Sequence, residues 1–150
     1  MDENILITSN CPVSVVIATL GFASLAITID SINKGSAKPT EILVCIPKSY
    51  IKDLPKLNYS NVKLIITDVK GQVAQRKIGF VKASSDIVLQ LDDDIILEYR
   101  CLEHLLKRLT ILGPKSVVGP NLRCLDTKKS HYNIINKNSK LLKFYYWLIN

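Results

Sequence analysis

The chain has 150 residues, 47% apolar and 22% charged, a composition that is typical of a globular domain and excludes a disordered or fibrous protein. Lysine and arginine outnumber aspartate and glutamate by 20 to 13, which gives a net charge of +7. The surface is therefore expected to attract anions such as nucleotides, nucleic acid or acidic lipids, without selecting among them.

The first predicted element is a buried strand. Its β-branched run, Val13 to Ile17, is apolar throughout, which is typical of a strand covered on both faces. A helix is predicted next, with Ser24 as a candidate N-cap and Gly35 suited to the position just past its end. The apolar positions of this helix recur at helical spacing at Leu25, Ile29 and Ile32.

Three further strands are predicted from short runs that are rich in apolar and β-branched residues. We predict them at Ile42 to Ile46, Val62 to Thr67 and Asp86 to Leu91, and the last runs directly into three consecutive carboxylates, Asp92, Asp93 and Asp94. The segment SVVGP, residues 116–120, predicts one more short strand.

Two further helices are predicted between and after these strands. The first lies between Gly71 and Ser84, with apolar positions at Ala74, Ile78 and Val81. The second ends at Gly113-Pro114. Its predicted buried stripe consists of Leu102, Leu105, Leu106, Leu109 and Leu112.

Strands that alternate with helices predict an α/β fold with a mostly parallel sheet and helices on both faces. Ligands of such sheets bind beyond the carboxyl ends of the strands. Thr19, Asp68 and the acidic triplet all follow predicted strands. We therefore expect them at one edge of the sheet, at the mouth of a ligand crevice.

The acidic triplet indicates a divalent cation. Hard carboxylate oxygens suit Mg²⁺ or Mn²⁺, which take one or two carboxylates and fill the remaining positions with water and phosphate oxygens. A diphosphate is therefore the natural co-ligand. The alternative is a solvated turn that caps the next helix, with Asp94 and Glu98 complementing the helix dipole.

Four segments resemble the successive motifs of family-2 glycosyltransferases: VSVVIATLG, EILVCIP, GQVAQRKIGFVKASSDIVLQLDDDIIL and SVVGP. The resemblance covers roughly residues 12–122, and its most specific part is the long third motif. It implies the GT-A fold, a Rossmann-like nucleotide-binding architecture. It also implies metal-dependent, inverting transfer of a sugar from a nucleotide-diphospho sugar to an acceptor such as a glycan or a lipid-linked sugar.

The resemblance also implies roles for individual residues. Thr19 would contact the nucleotide, and Arg76 would hold the diphosphate or the carboxylates. Asp92 and Asp93 would lie near the ribose and the diphosphate. Asp94 would bind the metal, with Asp92 as a second ligand. Arg76 could instead be a solvated helix residue, and Thr19 a strand-end hydroxyl bonded to backbone.

The chain departs from the family pattern in two places. The family has a base-reading aspartate at the end of its second strand, where this chain has Ile46-Pro47. No acidic motif follows SVVGP, so the general base is not identified, and Asp126 is the first candidate to test. We therefore interpret residues 1–150 as one domain, apparently truncated after the donor-binding half. Its donor-binding part is 12–122, and 123–150 begin an incomplete acceptor part that leaves at most slow donor hydrolysis.

Three other functions are alternatives to this one. A non-catalytic module that binds a sugar nucleotide agrees with the missing base. A sugar-nucleotidyltransferase would need a glycine-rich, lysine-containing loop after the first strand, and ATLGFASLAI lacks it. A nucleic-acid binder is disfavoured because the aromatic residues cluster at the C-terminus instead of alternating with Lys and Arg.

The cysteines and the C-terminal segment indicate location. The four cysteines lack the spacing of a zinc site or a disulfide framework, and we expect reduced, structural thiols in a cytoplasmic protein. No apolar run reaches the ~20 residues that span a bilayer. Residues 141–149 mix apolar, aromatic and lysine side chains. They are expected either to pack against a partner segment or to lie at a membrane interface.

Overall fold

The structure, a computed structural model, describes residues 10–124. It divides the chain into two units, Met1–Lys107 and Arg108–Asn150. The elements in chain order are β1 (Asn10–Ala18), α1 (Ser24–Asn33), β2 (Lys38–Pro47), a 3₁₀ helix (Lys48–Asp53), β3 (Val62–Thr67), α2 (Gln72–Lys82), β4 (Ile87–Leu91) and α3 (Cys101–Leu112).

All four strands form one parallel sheet in the order β3-β2-β1-β4. The chain moves outward from β1 through β2 to β3 and then returns to the other side of β1 with β4. The strand order therefore reverses between β1 and β4, and such a switch point opens a crevice at the carboxyl ends of the two strands. The predicted α/β fold with a parallel sheet is confirmed.

The first face of the sheet carries the larger part of the core. Side chains of β1 and β2 pack there against α1, and Leu102 of α3 joins them. Burial of these apolar surfaces stabilises the unit because each buried aliphatic side chain contributes about 1.5–3 kcal/mol. The fully buried members include Val13, Val15, Ile17, Leu25, Ile29, Ile32, Ile42 and Val44.

Helix α2 covers the second face, and it lies unusually close to the sheet. A Cβ atom on Gly79 would stand only 2.4 Å from Cγ1 of Val16 and 2.8 Å from Sγ of Cys45. The buried residues of this helix are Gln75 and Gly79. The predicted apolar positions therefore do not form the buried face of this helix: Ala74 and Ile78 are partly buried and Val81 is 80% exposed, because the side that carries Gly79 faces the sheet.

A buried carboxylate lies at the amino end of the sheet on the α2 face. Glu41 accepts hydrogen bonds from Ser14 Oγ at 2.7 Å and Lys63 Nζ at 2.8 Å, and from the amide and hydroxyl of Ser84 at 2.7 and 2.8 Å. Burial acts to raise the pKa of Glu41, but these bonds outweigh it and lower the pKa to about 2. The network connects β1, β2, β3 and the segment that follows α2.

A register shift in β1 places Ser14 beside Glu41. Cys11 pairs with Pro39 and Ser14 with Glu41, so β1 has one extra residue between these two pairs. The shifted stretch contains Pro12, which has no amide N–H to donate to a ladder. Without the extra residue, Ser14 would be out of register with Glu41.

Two further predictions of local structure are wrong. Helix α1 is capped at Ala23 and not by a side chain of Ser24. Residues 116–120 contain no strand within the described part of the chain. Val117 there is 97% exposed, so among residues 10–124 this apolar run has no neighbour to supply a strand's ladder and packing. These residues and Gly113, with φ +87° just past α3, belong to the second unit.

The predicted stripe of α3 is only partly buried. Of its leucines, Leu102 is fully buried and Leu106 packs partly against the core, whereas Leu112 is 48% exposed. A helical stripe is buried only where another element lies opposite it, and the core contacts of α3 are near its start. Over residues 10–124, no helix is long and apolar enough to cross a bilayer.

Candidate functional site

The carboxyl ends of β1 and β4 lie side by side at the switch point. Ile17 of β1 pairs with Leu91 of β4, so Thr19 and Asp93 each stand two residues past a paired position. Polar side chains that leave the sheet here are therefore held within reach of one another. Asp93 and Asp94 form a turn, with irregular backbone at Asp92 before it and at 95–98 after it.

Thr19 holds the middle carboxylate of the triplet. Its hydroxyl donates a short hydrogen bond to Oδ2 of Asp93 and accepts one from the amide of Gly21 at 2.9 Å. Gly21 has φ +92°, and a Cβ there would come within 3.1 Å of the Asp53 backbone. The loop after β1 therefore needs a glycine at this position to present its amide to Thr19.

Arg76 holds the first carboxylate of the triplet. Its Nη2 donates a short hydrogen bond to Oδ1 of Asp92, and its side chain is only 18% exposed, whereas that of Asp92 is 49% exposed. Its Nε is buried and has no hydrogen-bond partner among residues 10–124. This guanidinium therefore has a donor that no described residue uses. Because a buried N–H without a partner costs about 1–3 kcal/mol, a ligand that accepts a hydrogen bond from it would gain that free energy.

Asp94 differs from its two neighbours. It is exposed, and within the described chain no hydrogen bond or ion pair engages its carboxylate. Of the three carboxylates, Asp92 is therefore bound by Arg76, Asp93 is bound by Thr19, and Asp94 is open to solvent. Such an arrangement keeps two acidic groups in place beside a third that is free to bind a ligand.

Helix α1 fixes the backbone that carries the triplet. The hydroxyl of Thr28 donates to the carbonyl of Asp93 at 3.0 Å, and the amide of Leu97 donates to Oγ of Ser31 at 3.1 Å. Sequence analysis did not single out either hydroxyl residue. Thr28 shares the buried stripe of α1 with Leu25 and Ile32, and a polar residue within an apolar stripe was the available signal.

Gln75 is another residue that sequence analysis missed. It is 2% exposed, and its amide nitrogen donates to the carbonyls of Thr19 at 3.0 Å and Cys45 at 2.7 Å. Its Oε1 accepts from the amide of Gly71 at 3.2 Å. The signal in the sequence was the glycine four residues later, because an isolated glycine within a helix often marks close packing.

Not every predicted polar group reaches this place. Asp68 is exposed at the end of β3, three strands from β4 and hence roughly 14 Å away at ~4.8 Å per strand. At the end of β2, Ile46 and Pro47 are buried. Two shallow cavities of about 430 and 390 Å³ both border Tyr59, and neither is lined by a triplet residue.

Within residues 10–124 none of the four cysteines forms a disulfide, in agreement with the prediction of reduced thiols. Burial raises the pKa of Cys45 to about 11, so its thiol is neutral at physiological pH. Burial also raises the pKa of Cys11 and Cys101. These groups therefore act as small apolar residues and not as nucleophiles or metal ligands.

The described residues do not form a complete metal cage. Over 10–124, no three His, Cys, Asp or Glu side chains are grouped so that they could hold a metal ion. The donor set at the triplet nevertheless consists of hard carboxylate oxygens. Mg²⁺ and Mn²⁺ are commonly bound by one or two carboxylates with phosphate oxygens and water, so the exposed Asp94 and the half-exposed Asp92 fit an ion shared with a phosphate ligand.

The chain was compared with protein-family models, with curated proteins and with solved structures. A family model described as Glycosyl transferase family 2 matches residues 14–148. The matched range includes Thr19, Arg76 and the whole acidic triplet. No curated protein matched the chain, and no solved structure did.

Proposed function

Because the chain belongs to glycosyl transferase family 2, we propose that it binds a nucleotide-diphospho sugar at the carboxyl ends of β1 and β4. The reaction is transfer of the sugar to an acceptor glycan or lipid-linked sugar with inversion at the anomeric carbon. One observation carries the assignment of the site. Arg76 and Thr19 come from different elements and hold adjacent carboxylates, Asp92 and Asp93, beside the exposed Asp94.

A divalent cation, Mg²⁺ or Mn²⁺, would be held by Asp94 and Asp92. When bound, it supplies positive charge that stabilises the diphosphate leaving group. The support is the donor set: two carboxylates with hard oxygens, one of them free of any protein partner among the described residues. Without a cation, the triplet would repel the phosphates of the donor.

Arg76 is proposed to bind the diphosphate while it holds Asp92. Its unpartnered Nε gives it a donor in addition to the one that Asp92 uses. A phosphate oxygen is an acceptor of the right charge, and charge-assisted hydrogen bonds of this kind are roughly twice as strong as neutral ones. Arg76 would thus orient the leaving group and stabilise the charge that develops on it.

Thr19 and Gly21 are proposed to form the nucleotide side of the site. The hydroxyl of Thr19 already bridges the amide of Gly21 and the carboxylate of Asp93. This bridge would hold Asp93 beside the ribose and fix the loop after β1 against the donor. Base recognition stays unassigned, because the end of β2 carries the buried Ile46 and Pro47 in place of a carboxylate.

Transfer also needs a general base. The acceptor hydroxyl attacks the anomeric carbon, the bond from that carbon to the diphosphate oxygen breaks, and the hydroxyl proton passes to a base. No described residue is assigned this role. Asp126, the first candidate, lies outside the described residues, as do 141–149. Binding without transfer would support the alternative of a non-catalytic donor-binding module.

Isothermal titration calorimetry tests the proposal. The uridine, guanosine, adenosine, cytidine and thymidine diphosphates are titrated in turn into the full chain, in Mn²⁺ and in EDTA. We expect binding of at least one nucleotide in Mn²⁺, its loss in EDTA, and its loss in Asp94→Asn. The matched control is Asp86→Asn, an exposed carboxylate at the other end of β4, which should bind like wild type.

Two results would refute this binding model. One is equal affinity in Mn²⁺ and EDTA, because the cation would then play no part. The other is loss of binding in Asp86→Asn to the same degree as in Asp94→Asn, which would point to general charge instead of a defined site. Transfer or hydrolysis of the donor that binds is then measured separately.

A further inference from the structure

Gln75 is the most fully bonded polar side chain near the triplet. Its three hydrogen bonds lie toward the carboxyl edge of the sheet: Nε2 donates to the carbonyl of Thr19, just past β1, and to that of Cys45 in β2, and Oε1 accepts from the amide of Gly71, just before α2. The side chain is 2% exposed. The proposed function gives it no role, since none of its hydrogen bonds goes to the three aspartates.

The orientation of the Gln75 amide follows from its partners. The two groups on one side are carbonyl oxygens, which only accept, and the group on the other side is an N–H, which only donates. Flipping the amide would therefore lose all three hydrogen bonds. The side chain has a single favourable pose and acts as a rigid connector between β1, β2 and the first turn of α2.

This connector lies between the two groups that hold the triplet. Its Nε2 binds the carbonyl of Thr19, whose hydroxyl holds Asp93, and the next residue along the helix is Arg76, which holds Asp92. Thr19 directly follows β1 and Arg76 lies on α2, so their relative position depends on how α2 begins against the sheet. Gln75 is the side chain that makes that connection directly.

We propose that Gln75 is a positioning residue, which sets the separation between Thr19 and Arg76 and so keeps the guanidinium of Arg76 aimed at the donor diphosphate. This inference rests on the proposed function for its consequence in binding. The inference also has a geometric part, namely that Gln75 fixes the guanidinium of Arg76 against Asp92. That part can be tested on the protein without any ligand. Both parts are tested on the full chain.

Two variants remove the connector. Gln75→Met keeps the size of the side chain and loses every hydrogen bond, and Gln75→Asn keeps an amide that is too short to reach both strands. Gln72→Met is the matched control, because Gln72 is exposed in the first turn of the same helix. Ile42→Val controls for lost stability, since it loosens the core on the face of β2 that is opposite α2.

The first readout is the NMR resonance of the Arg76 Nε–H group, recorded without ligand. We expect this resonance to shift or broaden in Gln75→Met and Gln75→Asn and to keep its wild-type position in Gln72→Met and Ile42→Val. An unchanged resonance in both Gln75 variants would overturn the inference. If one of the two variants does not fold, the other still decides.

The second readout is affinity for inorganic pyrophosphate in Mn²⁺, a probe that needs no nucleobase. Both Gln75 variants should bind about tenfold more weakly, the size expected from one buried hydrogen bond. Arg76→Lys should then reduce the affinity for pyrophosphate less in the Gln75→Met background than in wild type. The reason is that a misplaced guanidinium already contributes less to binding. An equal loss of affinity in both backgrounds would show that Gln75 does not act through Arg76.

The two hypotheses can fail separately. If wild type does not bind pyrophosphate or any nucleotide with Mn²⁺, the proposed function fails, and the Arg76 resonance alone judges the positioning role. If wild type binds and the Gln75 variants bind equally well, Gln75 does not position the site and the proposed function stands.

Discussion

Arg76 and Lys77 are adjacent cations on α2 with different surroundings. Arg76 is largely buried, pairs with Asp92 and retains an unpartnered Nε, whereas Lys77 is exposed. A guanidinium held in this way provides a fixed fork, which a solvated ammonium group does not. The alternative of a solvated helix residue therefore describes Lys77 and not Arg76.

We predict that Arg76→Ala weakens Mn²⁺-dependent nucleotide binding about 10- to 100-fold, because a charge-assisted hydrogen bond contributes about 1.5–3 kcal/mol. Arg76→Lys should fall in between, since lysine supplies the charge without the fork. Calorimetry on the folded variants measures both. Lys77→Ala is the matched control, and a loss there as large as in Arg76→Ala would mean that binding follows net charge alone.

Glu41 gives the second prediction at this scale, and it concerns stability. Its pKa is about 2 in the folded chain against an ordinary 4.5. A lowered folded-state pKa stabilises the fold above the unfolded-state value, and the stabilisation is lost as pH falls through the folded-state value. The unfolding free energy should therefore decline as pH falls from about 5 toward 2, by about 2–3 kcal/mol from this group.

Urea unfolding of wild type and Glu41→Gln between pH 3 and pH 7 measures this contribution. The variant should be less stable at pH 7 and should lose less stability on acidification. Comparison with the variant isolates Glu41 from other carboxylates, such as Asp30, whose pKa is also lowered by its hydrogen bonds to Lys34 and Tyr59. Parallel pH profiles for the two proteins would contradict the assignment.

Helix α2 is the element that connects stability to the site. Gly79 lets it approach the sheet, Gln75 bonds its first turn to the strand ends, and Arg76 extends from it to the triplet. The sequence predicted this helix but not its orientation. Hydrophobic periodicity orients a helix by its apolar stripe, whereas here a glycine and a bonded glutamine face the sheet.

We predict that Gly79→Ala destabilises the fold by about 1–3 kcal/mol through overpacking, although alanine favours helices by roughly 1 kcal/mol over glycine. The reason is the 2.4 Å approach of the added methyl to Cγ1 of Val16. Chemical unfolding measures the change. Val81→Ala, on the exposed side of the same helix, should have little effect.

The double variant Val16→Ala with Gly79→Ala provides the internal check. Removing Cγ1 of Val16 makes room for the new methyl, so the double variant should lose less stability than the two single variants together. Strict additivity, or a Gly79→Ala variant as stable as wild type, would show that α2 does not lie as close to the sheet as the structure indicates.

At the scale of the whole molecule, the sequence predicted what local pattern and topology determine. The third predicted strand has the observed bounds, Val62–Thr67, and β-branched runs located the other three. The alternation of strands and helices predicted the parallel sheet, and the rule that ligands bind at strand ends placed Thr19 beside the triplet. These inferences need only chain order and side-chain type.

The sequence did not predict contacts that depend on exact register. The bonds of Gln75 depend on carbonyls of two different strands, and the network of Glu41 depends on one extra residue in β1. The run at 116–120 looked like a strand because composition does not reveal whether a neighbouring strand is present. Such features depend on contacts between residues that are distant in the sequence, and the local pattern of a single sequence does not show which distant residues meet.

The central claim is that a divalent cation and a diphosphate bind at the acidic triplet. The most direct test is a titration of the ¹⁵N-labelled chain with Mn²⁺ in the presence of the nucleoside diphosphate that binds best. Paramagnetic broadening falls steeply with distance from the ion. We predict that the amides of Asp92 to Asp94, Thr19 and Gly21 broaden first, and that Asp94→Asn abolishes the effect. Broadening centred elsewhere, such as at Asp30 or Glu103, with the triplet unaffected, would contradict the account.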